Sequence, residues 1–156
     1  MTRKATDYKK VVVHNRKAKH EYFIDEVFEA GIVLVGSEAK SLRGHDVNIN
    51  DAYVDHEKGE LVLINSYIPE YNKANSFNHF PRRTRKLLLH KKQIKKLIGM
   101  LKIKGVTIVP LSIYFNHKNI AKAEIAVVRG KKEYDKRESI KQADWNRQKA
   151  RILKGE

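Results

Sequence analysis

The chain of 156 residues contains no cysteine. That excludes disulfides, thiolate metal sites and cysteine nucleophiles together, and it suits a reducing cytoplasm. No apolar run approaches the roughly 18–20 residues that cross a bilayer. The opening MTRKATDYKKVVVHNRKAKH has only a short valine run, so it lacks a secretory signal core. There is no GxxxxGK[ST], no GxGxxG, no GxSxG and no HExxH, which removes the common signatures of nucleotide, dinucleotide, hydrolase and zinc-protease chemistry. Internal repeats and low-complexity tracts are absent too. The most telling absence is local: residues 82–104 hold no Asp or Glu.

What fills that stretch is charge of the other sign. Ten Lys or Arg stand there, at positions 82, 83, 85, 86, 91, 92, 95, 96, 102 and 104. The net charge of +15 is unevenly placed, with +6 over residues 1–20, −7 over 21–81, +10 over 82–104, +2 over 105–129 and +4 over 130–156. A solvated surface normally interleaves both signs. Segregated blocks give the field a direction and point to a polyanion, nucleic acid before anionic membrane.

Residues 1–15 read as a flexible basic arm, residues 16–129 as the folded domain, and residues 130–156 as a basic tail. His20 to Val35 alternates as a long strand, with Tyr22, Ile24, Phe28, Ala30, Ile32 and Leu34 on one face, Glu29 on the other, and Gly31 marking a bulge or bend. Ser37 is placed to cap a short helix that stops near Gly44, with Ala39 and Leu42 inward. Val47–Asp55 and Glu60–Tyr67 read as strands around the turn His56-Glu57-Lys58-Gly59. Asn65 to Phe80 loses its period and reads as a long loop. Lys91 to Lys104 is a helix: Ile94, Leu97, Ile98 and Leu101 make one apolar stripe, and Gly105 ends it. Val106–Phe115 and Ile120–Val128 form a hairpin. These elements predict a mainly β protein, economically an OB-type antiparallel β-barrel with short flanking helices; a split α+β sheet is the rival.

The seven histidines show no metal-ligand spacing, and the carboxylates Glu21, Asp25, Glu26 and Glu29 form a run without a visible partner set, so no metal, no cofactor and no catalytic residue is expected. Arg82, Arg83, Arg85 and Lys86 lie where the loop meets the next strand. They are either a solvated basic loop or phosphate contacts, since Arg offers a planar two-point fork. Leu87, Leu88 and Leu89 cannot all face one way on a strand. With Leu87 and Leu89 inward, Leu88 stands outside among cations, where an apolar side chain suits a base or ribose face. The lysines around the helix stripe also fit an interfacial membrane helix, but the stripe lacks bulky aromatics and packs better as core. The tail has helix formers but no wide apolar face, with Ile140, Trp145, Ile152 and Leu153 scattered among cations. It is expected to be disordered alone and helical on a partner, starting at the capping box Ser139-Ile140-Lys141-Gln142.

NRKAKHEYFI (15–24), FEAGIVLVGSEAKSLR (28–43), NINDAYV (48–54), RTRKLLLHK (83–91), GKKEYDKRESIK (130–141) and the closing KARI (149–152) resemble the small protein B family, the SsrA-binding partners of tmRNA in trans-translation. Several motifs occur in order from about Asn15 to Lys154. The resemblance implies an OB-type barrel and a cytoplasmic, non-enzymatic protein, monomeric when bound. It would bind the tRNA-like domain of tmRNA and bring it to stalled ribosomes, so that they are rescued and the nascent peptide is tagged for degradation. By motif it assigns RNA contacts to Glu29, Leu88 and Lys122, with His90 at a polar position beside them. It implies that the tail enters the decoding centre of the small subunit, against 16S rRNA. There Gly130, Lys131, Lys132, Asp135, Lys136 and Arg137 match the hinge motif, Tyr134 supplies a ring that could stack, and Trp145 and Ile152 act as apolar anchors. Ser37 and the 65–80 loop depart from the pattern.

Overall fold

The β-branched and alternating stretches pair edge to edge in the computed structural model, which describes residues 9–44, 46–72, 78–131 and 145–152. The strands are β1 (Lys10–His14), β2 (Tyr22–Ile32), β3 (Tyr53–Glu57), β4 (Glu60–Ile64), β5 (Arg85–Leu88), β6 (Val106–Phe115) and β7 (Ala121–Gly130). Helices α1 (Ala18–Glu21), α2 (Gly36–Leu42) and α3 (Lys91–Leu101) lie between them, and residues 145–152 are helical. Every strand pairing is antiparallel. The pairing runs β6–β3–β4–β5–β2–β7 and returns to β6, while β1 adds to β6 outside the ring. Six strands therefore close into a barrel, which hides the edges an open sheet would expose. Closure decides for the OB-type barrel and against the split sheet.

The interior is apolar. Ile32, Val54, Leu61, Leu63, Leu87, Ile108, Ile113 and Ile125 fill it, each from the inward parity of its strand. Helix α3 packs on this core with Leu97 fully buried and Ile94, Ile98 and Leu101 against it, the stripe expected. Burying one such leucine is worth roughly 1.5–3 kcal/mol. The Gln93 side chain accepts the His90 N–H at 3.2 Å and caps the helix, and Gly105 turns away at φ +84°. At the β3–β4 hairpin Lys58 and Gly59 both take positive φ, 52° and 78°, so the turn is two residues long, and His56 and Glu57 belong to β3.

Several expectations change. The basic arm does not reach residue 15: Lys10–His14 pair with β6, because Val12 and Val13 gain a place against the core. The long strand starts at Tyr22, after the short helix α1. Its bulge is at Asp25, between the Ile24 and Glu26 pairings, and not at Gly31. The bulge breaks the parity, so Ile24 is exposed and Tyr22 joins a separate small cluster with Ala18, Val109, Ala126 and Val128. Ser37 does not cap α2. Val35 holds that position, its N–H donated to the Glu38 carboxylate at 2.9 Å. Val47 to Ala52 is not strand, although one bridge joins Asn48 to Tyr67. Strand β7 continues through Gly130, which pairs with Tyr22, so the barrel runs past the expected tail boundary.

Candidate nucleic-acid interface

Strand pleat determines what shares the outer surface. On β2 the inward residues are Ala30 and Ile32, so Glu29 and Gly31 face out. Gly31 pairs with Leu88 on β5 and with Lys122 on β7, and Lys122 pairs with Tyr114 on β6. Directly paired residues project to the same side, so Leu88, Gly31, Lys122 and Tyr114 form one row across four strands. At about 4.8 Å per strand the row spans roughly 15 Å. Glu29 is the next outward residue of β2, beside this row. Three residues from remote segments, Glu29, Leu88 and Lys122, thus meet on one face.

The row's chemistry is mixed. Leu88 is 52% exposed. Lys122 is half-buried, and among the described residues no carboxylate lies within ion-pair distance of it. Glu29 lies opposite Glu124, a like-charge pair that two donors relieve. The Tyr114 hydroxyl donates to Glu29 Oε2, and Lys9 donates to Glu124 at 3.3 Å with its ammonium 4.8 Å from the Tyr114 ring centre. Burial, then the hydrogen bond to Glu29 and the charges of Glu29 and Glu124, push the Tyr114 phenol well above its ordinary range. It stays a donor. Tyr114, Glu124 and Lys9 carry no local signal in the sequence that marks them. Gly31 carried a signal, attributed there to a bulge; the cause is the close approach of Leu88.

The basic stretch is less uniform in space than along the chain. Arg85 is fully buried and does not reach the surface, which removes it as an RNA contact. Its guanidinium donates to Glu38 Oε2 at 2.6 Å, to Ser66 O and Oγ at 2.9 Å each, and to Pro81 O at 3.1 Å. Arg83 donates to the other Glu38 oxygen at 2.5 Å and is only partly exposed. Burial alone would raise the Glu38 carboxyl, but hydrogen bonds from Arg83, the Val35 N–H and Arg85, with the charge of Arg85, outweigh it and hold the group below the usual carboxylate range. An arginine faces inward at an inward-parity position because a buried carboxylate on α2 waits for it. Lys86 meets Glu60 and Lys96 meets Glu26, both at 2.8 Å. The acid-free stretch thus borrows acids from the block before it. Arg82 bonds Asn65 and is exposed, and His90 is exposed at the start of α3. Lys91, Lys92, Lys95, Lys102 and Lys104 have no ion-pair partner among the described residues and supply the open cationic surface.

Of the tail residues, Gly130 ends β7, and Lys131 donates to Lys19 O at 2.7 Å over the ring of Phe23. Both therefore belong to the barrel's rim. Lys132, Tyr134, Asp135, Lys136, Arg137 and the capping box lie outside the described residues. Trp145 and Ile152 open and close the helical stretch 145–152, one above the other at i and i+7, and are 54% and 74% exposed. Among the described residues no group of three His, Asp or Glu is gathered as a metal site, and no helix is long and apolar enough to cross a membrane.

Comparison with known proteins gives a consistent result. The family model for SmpB protein matches residues 12–155. An SsrA-binding protein of Wolbachia pipientis subsp. Culex pipiens (strain wPip) is 60% identical over 144 residues, 92% of this chain and 97% of the relative. One of Orientia tsutsugamushi (strain Ikeda) is 55% identical over 148 residues, 95% of this chain and 97% of the relative. A solved structure described as "tmRNA-SmpB: a journey to the center of the bacterial ribosome" contains a chain 48% identical, with a TM-score of 0.65, covering 76% of this chain and 83% of that one.

Proposed function

The chain belongs to the SmpB family, and on that premise we propose that it binds tmRNA through its tRNA-like domain and carries it to stalled ribosomes in trans-translation. The observation that carries the proposal is the outer row of β5, β2, β7 and β6. It sets an exposed Leu88, a Lys122 with no ion-pair partner among the described residues and a Tyr114-oriented Glu29 on one surface. Leu88 offers an apolar face to a ribose or base, Lys122 neutralises a phosphate, and Glu29 accepts from ribose hydroxyls or base amino groups. The lysines of α3 add attraction and rate with little discrimination. The protein is no enzyme: it works by binding. It acts in the cytoplasm, one copy per RNA.

The tail from Lys132 onward serves a second surface, the decoding centre and mRNA channel of the small subunit. Tyr134 stacks there, and Trp145 and Ile152 form one apolar face. The test is a pull-down with RNA sequencing, followed by affinity measurement on the isolated tRNA-like domain. Enrichment of tmRNA and an affinity lost on Lys122→Ala are expected. Capture of ribosomal RNA alone favours the second reading, a non-specific basic RNA-binding or ribosome-associated protein. Truncation after Lys131 leaves tRNA-like-domain affinity nearly intact and abolishes tagging on ribosomes. Loss of RNA affinity in that truncation refutes the separation of the two surfaces.

A further inference from the structure

Away from the Leu88 row, just before β5, the surface carries an open cleft of about 450 Å³ lined by Tyr67, Phe80, Pro81, Arg82 and Arg83. Phe80 is 83% exposed, the most exposed large apolar side chain among the described residues. Left in water, such a ring forgoes the burial that a phenylalanine ordinarily gains.

It is not loose. The residue before it, His79, is buried, with Nδ1 bonded to Ser37 Oγ and Nε2 to Ile68 O, both at 2.9 Å. The Phe80 carbonyl accepts the Arg83 N–H at 3.1 Å, and the Pro81 carbonyl accepts the Ile68 N–H at 2.9 Å. The backbone is thus pinned on both sides while the ring stands out.

Its neighbours are equally set. Tyr67 is bridged to Asn48, and the Arg82 guanidinium lies 5.5 Å from the Tyr67 ring centre. Asn65, at a left-handed φ of 65°, turns both its carbonyl and its side-chain oxygen to Arg82, at 3.3 and 2.9 Å. Both are neutral acceptors, and no carboxylate among the described residues pairs with Arg82. Arg83 and Arg85 share the single carboxylate of Glu38, which leaves a second positive charge behind the cleft.

An exposed ring on a pinned backbone beside a flat guanidinium, over two positive charges, is complementary to a stacked base with its phosphate. The geometry points to a second RNA contact: the Phe80–Arg82 cleft takes one unpaired nucleobase, stacked on Phe80, with its flanking phosphate against Arg82. At most about 20 Å of chain separates Arg82 from Leu88, so the base belongs either to the RNA held at the Leu88 row or to ribosomal RNA. The inference deepens the proposed function and rests on RNA being the partner.

The test uses the full chain with Phe80→Ala, Phe80→Trp and Phe80→Leu, and dissociation constants at one fixed salt concentration. The probes are the tRNA-like domain of tmRNA, naked 16S rRNA and intact small subunits. Phe80→Ala is expected to weaken one of the two naked RNAs by about 5- to 150-fold, the loss of one stacking ring. The RNA affected identifies the source of the base. Phe80→Trp restores binding and Phe80→Leu does not, which separates stacking from mere apolar contact. Affinities within twofold of the parent for both naked RNAs overturn the inference. A loss seen only with intact subunits also overturns it, and assigns the cleft to a protein. A parent chain that binds 16S rRNA through Phe80 but not the tRNA-like domain sinks the proposed function and leaves the cleft standing. A parent that binds neither RNA sinks both.

Discussion

A Cβ on residue 31 would stand 3.3 Å from the Cβ of Leu88, so the glycine holds open the floor on which the exposed leucine lies. Gly31→Ala must displace Leu88 by a few tenths of an ångström. Rotation of Leu88 can move its Cδ1 and Cγ, at 3.6 and 3.8 Å, but its Cβ moves only with the β5 backbone, so β2 and β5 must part slightly there. The expected result is a stability loss of about 1–3 kcal/mol, the range for overpacking, with a clear loss of tRNA-like-domain affinity. Urea melts alongside binding isotherms check it; unchanged affinity would mean that Leu88 does not touch the RNA.

The Tyr114 hydroxyl is the donor that orients Glu29 beside the row. Tyr114→Phe removes the donor to Glu29, while Lys9 still relieves Glu124 across the pair. A loss of about 1.5–3 kcal/mol is expected, the range for hydrogen bonds to charged groups. RNA affinity should fall as well, because Glu29 is no longer oriented. A mutant that melts early yet binds normally would assign the pair a structural part only.

Glu38 ties two arginines to α2. Glu38→Gln leaves a guanidinium buried without its counter-charge, which costs about 3–5 kcal/mol. The pH dependence follows from the lowered carboxyl. Its contribution is fully present above the ordinary value of 4.5 and is lost as pH falls through the lower folded value. Denaturant midpoints of the parent should therefore drop in that acid window, and those of Glu38→Gln should drop less. Parallel curves would place the acid sensitivity elsewhere.

Lys122 and Arg85 separate binding charge from folding charge. Lys122→Ala should keep the melting midpoint and reduce the slope of log affinity against log salt by about 0.7–0.9, one phosphate's worth. Arg85→Ala should unfold the barrel, or bind normally wherever it remains folded. A folded Arg85→Ala protein with weakened binding would contradict the buried placement.

Much of the barrel was legible along the chain. Ile94, Leu97, Ile98 and Leu101 recur with a helix's period, and the β6–β7 hairpin alternates, because a core-facing surface imposes its period on whatever packs there. The parity of Leu88 and Glu29 was legible for the same reason. Tyr22 and Ile24 were misread because one extra residue at Asp25 reverses every side chain before it, and a bulge at Asp25 leaves no mark in composition. Arg85 was misread because burial of an arginine depends on a carboxylate 47 positions away. The His79 anchor that sets Phe80 outside was also invisible, since both its partners are distant in sequence.

By itself, the sequence determined the class of the protein: a β-rich domain with one amphipathic helix, no thiol chemistry, and cationic blocks around an acidic one. Local period, local composition and ordered motifs are properties of neighbouring residues, and they survive without a fold. Which charges stay free was decided only in three dimensions. Closing the barrel brings Glu38, Glu60 and Glu26 onto Arg83, Arg85, Lys86 and Lys96, and pairing across β5, β2, β7 and β6 lines up Leu88, Gly31, Lys122 and Tyr114. Coulombic neutralisation and cross-strand register act through space, between residues whose separation along the chain is arbitrary.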